Sequence, residues 1–235
     1  NWNLARNKKN ISIKNNMKKN TLIFGGTRGL GLVIAKHLKS RGDNIFNFAR
    51  LISENKKNIK VDLSNESSIE NSLKKINYIK KIDNIIFSQR YRGVDWREDF
   101  QVSVFSIDQI IKILKNKISK NGSVILISSI SNKAIIQDQE LAYHLTNSSL
   151  EQMTKYYAVK LGKKNIRFNC VLPTKLIKPE NSKFFKKDSK GKKISKLMSK
   201  ITPLNKMSEA SDVAKVIEFL TSSNSSFITG MSIPI

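Results

Sequence analysis

One cysteine, two histidines, two tryptophans and four prolines are spread through 235 residues. The single Cys170 has no partner for an internal disulfide, and cysteine and histidine never gather at metal-ligand spacing. A disulfide scaffold and a Cys/His metal centre are therefore excluded, and no metal is expected. Cys170 sits in the apolar run from Ile166 to Leu172, which marks it as a buried structural thiol and fits a reducing cytoplasm. No apolar run approaches the roughly 18–20 residues of a membrane span, and no secretory-type apolar segment opens the sequence. No membrane association is expected.

Acid is also scarce, with 18 Asp and Glu against 43 Lys and Arg and a net charge of +25. Such an excess is compatible with a polyanionic partner. Yet 35 of the 43 cations are lysines, scattered in ones and twos without interleaved aromatic residues on which bases would stack. Lys, Asn and Ile are abundant together and share AT-rich codons, so genome composition accounts for the excess as a solvated surface. Specific nucleic-acid binding is not expected.

What is present is an alternation of strand and helix signals. Residues 1–18 are Asn- and Lys-rich without periodicity and read as a disordered or non-native leader, leaving 19–235 as one domain of ordinary size. The stretch Thr21-Leu22-Ile23-Phe24-Gly25-Gly26-Thr27-Arg28-Gly29-Leu30-Gly31 is a strand running through a glycine turn into an apolar-periodic helix. In a dinucleotide site such glycines make a positive-φ turn, admit the pyrophosphate and let helix pack on strand, with the helix N-terminus aimed at the phosphates. A plain glycine turn between two core elements has similar letters. The second strand ends at Ala49-Arg50, where an NAD-preferring site places an acid for the ribose hydroxyls. Arg28 and Arg50 instead suit a 2′-phosphate, so NADP(H) is favoured over NAD(H).

Further strands are expected at Asn58–Val61, Ile82–Phe87, Gly122–Ser129, Asn165–Leu172 and Phe227–Ile235. Helices are expected over Gly29–Ser40, Glu66–Tyr78, Phe100–Lys117, Leu141–Leu161 and Glu209–Leu220, whereas 173–206 is polar, basic and without a clear period. This alternation predicts an α/β fold: a three-layer, Rossmann-type, doubly wound parallel sheet in a single domain.

Taken in order, these motifs resemble the short-chain dehydrogenase/reductase family from about Lys19 to Ile235. The family's glycine loop falls on Gly25, Gly29 and Gly31, its adenine-contacting acid on Asp62, and its catalytic serine on Ser129, with Ser128 the other register. Its Tyr-x-x-x-Lys motif falls on Tyr143 to Asn147, and its Pro-Gly turn on Pro173-Thr174. The resemblance implies catalytic roles for Tyr143, Ser129, Asn147 and Ser103. It implies cofactor contacts from Gly25, Thr27, Arg28, Gly29, Leu30, Gly31, Arg50, Asp62, Leu63, Ser88, Gln89, Asn147 and Pro173. It further implies carbonyl/alcohol interconversion on a small molecule, and a homodimer or homotetramer.

The sequence departs from the family pattern at several positions. Asn147 stands in place of Lys, Ser88-Gln89-Arg90 in place of Asn-Ala-Gly, Ser103 in place of a helix Asn, Thr174 in place of Gly, and Lys178 in place of a hydroxyl residue. A phenol gives up its proton near neutrality only with electrostatic help, and Asn147 carries no charge. Three readings stay open: an active reductase in which Arg90 or Lys133 supplies the charge, a cofactor-binding protein with weak or no turnover, and a decayed site. His144 is expected in a surface or packing role. Lys183-Phe184-Phe185-Lys186-Lys187 reads as a lid or as a loop docked on the core. The basic residues near the pocket favour an anionic substrate, a sugar or a carrier-bound acyl chain, with 3-oxoacyl-carrier-protein reductases as the other candidate class.

Overall fold

The computed structural model describes residues 18–52 and 57–235, so the expected leader lies outside the described residues except for Lys18. Seven strands form one parallel sheet: β1 (Asn20–Phe24), β2 (Asn44–Ala49), β3 (Asn58–Lys60), β4 (Ile82–Phe87), β5 (Ile118–Ile127), β6 (Arg167–Leu172) and β7 (Ser232–Pro234). Their order is β3-β2-β1-β4-β5-β6-β7, every pair parallel. The order reverses between β1 and β4, and in a doubly wound sheet that reversal opens a crevice beyond the C-terminal strand ends. Strands buried on both faces read as continuous apolar runs, as Leu22-Ile23-Phe24 and Ile85-Ile86-Phe87 do.

The helices are α1 (Gly29–Ser40), α2 (Glu66–Lys74), α3 (Trp96–Phe100), α4 (Ser106–Leu114), α5 (Leu141–Gly162), α6 (Ser182–Lys187), α7 (Ser189–Ile201) and α8 (Ala210–Leu220). Ile34 and Leu38 of α1 and Val213 and Ile217 of α8 pack with Ile23, Ile86 and Ile125 in one apolar cluster. Ile107, Ile110 and Ile111 of α4 and Leu150 and Leu161 of α5 pack with Leu22, Ile85 and Val124 in the other. Helices on both faces of a parallel sheet complete the three-layer fold expected from the sequence.

Phe24 lies in register with Phe48 on one side and Phe87 on the other, across β2-β1-β4. Their rings stack at centroid distances of 4.6 and 5.0 Å. This three-ring ladder, fully buried, is a firm floor beneath the switch point, and offset aromatic pairs add about 0.5–1.5 kcal/mol each beyond their area.

Several boundaries differ from expectation. β5 begins at Ile118 rather than Gly122, turning through Asn121 at φ 68°, and ends at Ile127 rather than Ser129. The helix expected over Phe100–Lys117 starts earlier, because Asp95 caps Trp96–Phe100 by accepting from Arg97 and Glu98 N–H. It then widens into a π-helical stretch, Gln101–Phe105, before α4. The second helix ends at Lys74, beyond which Lys75, Ile76 and Asn77 bond three residues back in tighter turns. Only Ser232–Pro234 of the last segment pairs as a strand. The Asn169 side chain instead bonds Ile228 O and Met231 N–H, and Thr229 accepts from Phe168 N–H. The unassigned basic stretch folds as α6 and α7.

Candidate active site at the switch point

The C-terminal strand ends open onto a cavity of about 820 Å³, within the range of small-molecule and cofactor sites. Gly25 holds φ +84°, a left-handed conformation that costs glycine little. A Cβ at Gly31 would sit 2.1 Å from Gly25 O, so α1 approaches the loop more closely than any side chain allows. No acid occupies the first turn of α1 and no side chain caps it. Its free N–H groups belong to residues that line the cavity, with the Glu180 carboxylate alongside Gly29 at the rim.

The same cavity is lined by Thr27, Arg28, Gly29 and Leu30 of the loop, by Arg50 beyond β2, and by Asp62 and Leu63 beyond β3. Ser88 and Gln89 beyond β4, Ser103 in the π-helical stretch, Ser129, Tyr143, Asn147 and Pro173 complete it. Every site residue expected from the sequence thus meets at one place, although these residues come from nearly every segment between Gly25 and Pro173. Asp62 accepts from both N–H and Oγ of Ser64, which holds its carboxyl below the ordinary carboxylate range, with Arg50 adding in the same direction.

Ser129 begins the loop after β5 and accepts from Ser131 N–H at 3.2 Å. Ser128 turns instead to α5, its hydroxyl donating to Asn147 O and Oδ1 at 3.0 and 3.1 Å. The Asn147 amide also donates to Tyr143 O at 2.7 Å, so it braces the first turns of α5. Ser103 donates to Asp99 Oδ1 at 2.7 Å, which brings a carboxylate to the cavity wall that the sequence did not single out. π-helical turns recur at functional sites, and this one sets Ser103 on the cavity wall.

The two candidate replacement charges separate. The Lys133 ammonium pairs with Glu151 at 2.9 Å and does not line the cavity, so it is not available to Tyr143. Arg90 lies over the Tyr143 ring, with 4.6 Å from guanidinium carbon to ring centroid. Its Nη2 donates to Gln139 Oε1 at 2.9 Å, which holds it there. His144 is buried rather than on the surface. Its Nδ1 meets Glu140 O and its Nε2 accepts from Ile136 N–H, so its role is to pin the loop before α5. Phe185 is buried and lines the cavity, whereas Phe184 is more exposed and meets it edge-on at 5.1 Å.

A family model described as enoyl-(acyl carrier protein) reductase matches residues 25–235. The chain belongs to the short-chain dehydrogenase/reductase family. It is 26% identical to an L-xylulose reductase of Bos taurus over 231 residues, 91% of this chain and 93% of that protein. It superposes on a short chain dehydrogenase family protein from Francisella tularensis with a TM-score of 0.79, at 26% identity and covering 93% and 97% of the two chains. ElxO, solved with NADP bound, has the same fold at a TM-score of 0.79 and 22% identity, covering 93% of this chain and 97% of its own. Among the described residues, no helix of this family member is long and apolar enough to cross a membrane, and no cluster of ligating side chains suits a metal ion.

Proposed function

We propose that the chain is an NADP(H)-dependent oxidoreductase that interconverts a carbonyl and an alcohol on a small molecule. The cofactor reading is supported by the close approach at Gly31, the uncapped N-terminus of α1, and two guanidinium groups where an NAD site carries an acid. Arg28 and Arg50 hold the 2′-phosphate by charge-assisted hydrogen bonds. Asp62 meets the adenine ring, and Asn147 meets the nicotinamide ribose through the amide N–H that Tyr143 O does not take.

The observation that carries the catalytic half is the guanidinium of Arg90 over the ring of Tyr143. A nicotinamide held by these residues would supply or accept the hydride. Tyr143 donates its phenolic proton to the carbonyl oxygen, and Ser129 hydrogen-bonds the same oxygen as negative charge builds there. The positive charge of Arg90 stabilises the phenolate left behind, the task that the absent motif lysine would otherwise perform. Gln139 is a positioning residue, acting through Arg90.

A second reading rests on Asn147, whose amide is turned onto Tyr143 O and Ser128 and brings no charge of its own. On that reading the protein binds NADPH and turns over weakly or not at all. Fluorescence titration with NADPH and NADH, followed by a panel of ketones and aldehydes, decides between them. NADPH is expected to bind at least tenfold more tightly, and Arg90→Met to lower kcat at least tenfold with NADPH affinity retained. Equal affinities overturn the NADP(H) reading. NADPH binding without hydride transfer across the panel establishes the second reading.

A further inference from the structure

Arg90, Arg92 and Lys178 all line the cavity, on loops that follow β4 and β6. Among the described residues, no carboxylate lies within ion-pair distance of any of them. Lys178 is half-buried, and its ammonium is held below the ordinary lysine range by burial and by the charges of Arg92 and Arg90. Glu180 offsets part of this. The three cations thus share one wall of the cavity with only part of their charge offset by Glu180, and an incoming anion would complete the neutralisation.

Position narrows the kind of anion. Arg90 stacks on the tyrosine whose hydroxyl must reach the reacting carbonyl. An anionic group that meets this guanidinium by a charge-assisted hydrogen bond therefore lies within a few bonds of the reacting carbonyl. A long acyl chain, with its phosphate far from the carbonyl, does not meet that condition. Arg28 and Arg50, which serve the cofactor in the proposed function, lie instead in the adenine half of the cavity, where Arg50 acts on Asp62.

We propose that Arg92 and Lys178, with Arg90 behind them, form an oxyanion subsite, and that the substrate is a short oxo compound bearing a carboxylate or phosphate next to its carbonyl. This rests on the proposed function. In the reduction, the C4–H bond of NADPH breaks and its electron pair forms the new C–H bond at the carbonyl carbon. The Tyr143 proton goes to the oxygen, which gives NADP⁺ and the hydroxy acid or hydroxy phosphate.

The experiment uses the full chain with NADPH and compares matched probes: 2-oxobutyrate and 3-oxobutyrate against their methyl esters, and dihydroxyacetone phosphate against dihydroxyacetone. At least one anionic probe is expected to exceed its neutral partner thirtyfold or more in kcat/KM, and the pair that does so tells carboxylate from phosphate. Arg92→Gln and Lys178→Met are expected to reduce that preference at least tenfold, chiefly through KM, with NADPH affinity held. Neutral probes that match or exceed every anionic partner overturn the proposal. So does a tenfold loss of NADPH affinity in both variants, which assigns these cations to the cofactor. If no probe is reduced, calorimetry of the NADP⁺-loaded protein with 2-hydroxybutyrate and glycerol 3-phosphate separates the two claims. Binding that Arg92→Gln weakens tenfold supports the subsite while catalysis fails, and absence of binding overturns the subsite itself.

Discussion

Replacing Gly31 with alanine perturbs the cofactor loop by a single methyl group. In the native backbone the new Cβ lies 2.1 Å from Gly25 O and 2.9 Å from Gly25 C, both main-chain atoms. Carbon contacts below 3.0 Å are essentially never tolerated, so loop and helix must separate by nearly 1 Å. Because no flexible side chain absorbs the shift, the cost falls in the usual range for overpacking, about 1–3 kcal/mol. Part of it destabilises the empty protein, where each kcal/mol lowers Tm by about 2–4 °C at this size. The rest weakens NADPH, because the N–H groups of α1 move relative to the phosphates, at tenfold per roughly 1.4 kcal/mol. The expected result is a fall in Tm of several degrees together with at least tenfold weaker NADPH binding in a fluorescence titration. Gly162→Ala is the matched control: nothing lies within 4 Å of its Cβ, and it closes α5. Alanine there gains a few tenths to about 1 kcal/mol of helix propensity, so Tm holds or rises. Wild-type Tm and NADPH affinity in Gly31→Ala refute the close-approach argument.

Asn147→Lys places an ammonium one helical turn beyond Tyr143, and kcat on any carbonyl the protein reduces is expected to rise. No increase means that position 147 does not govern the charge state of Tyr143. Asp43 is buried and accepts from Thr21 Oγ1 at 2.6 Å, from Arg41 Nε at 3.0 Å and from Arg41 Nη2 at 2.6 Å. Asp43→Ala leaves those donors unpaired and is expected to cost about 3 kcal/mol in urea unfolding; a loss below 1 kcal/mol contradicts the role given to this network. Asp62 is held below the ordinary carboxylate range by Ser64. A depressed carboxyl contributes stability above its unfolded-state range and loses it as pH falls through the folded value. Ser64→Ala is therefore expected to melt below wild type at pH 7, with the difference fading below about pH 3.8, the ordinary aspartate value. A difference that grows on acidification contradicts the sign.

Strand and helix order from Thr21 to Leu220 was legible because it depends on local period and local punctuation. Asp95, the cap of α3, illustrates the limit, since a polar residue before a short helix reads equally well as loop. The tail was misread because Asn169, deep in β6, takes hydrogen bonds that a longer β7 would have used. No pattern within 227–235 announces a competitor in another strand. Likewise 173–206 carries no strong period because α6 and α7 pack on each other and bury only Phe185 and Gly191 between them.

The sequence by itself determined that Gly25 to Gly31 is a turn entering a helix and that the strands are parallel, both of which follow from residue type and spacing along the chain. Its resemblance to the family added the expectation that Ser129 and Tyr143 share one cavity, as they do. Only the tertiary structure decided which cation lies against Tyr143. Lys133 lies ten residues before Tyr143 and Arg90 lies 53 before it, yet Glu151 on α5 neutralises Lys133 while Gln139 steers Arg90 onto the ring. Long charged side chains have many rotamers, and the partner that selects one comes from a different element. Net charge is therefore a property of composition, whereas a charge at a reacting atom is a property of packing.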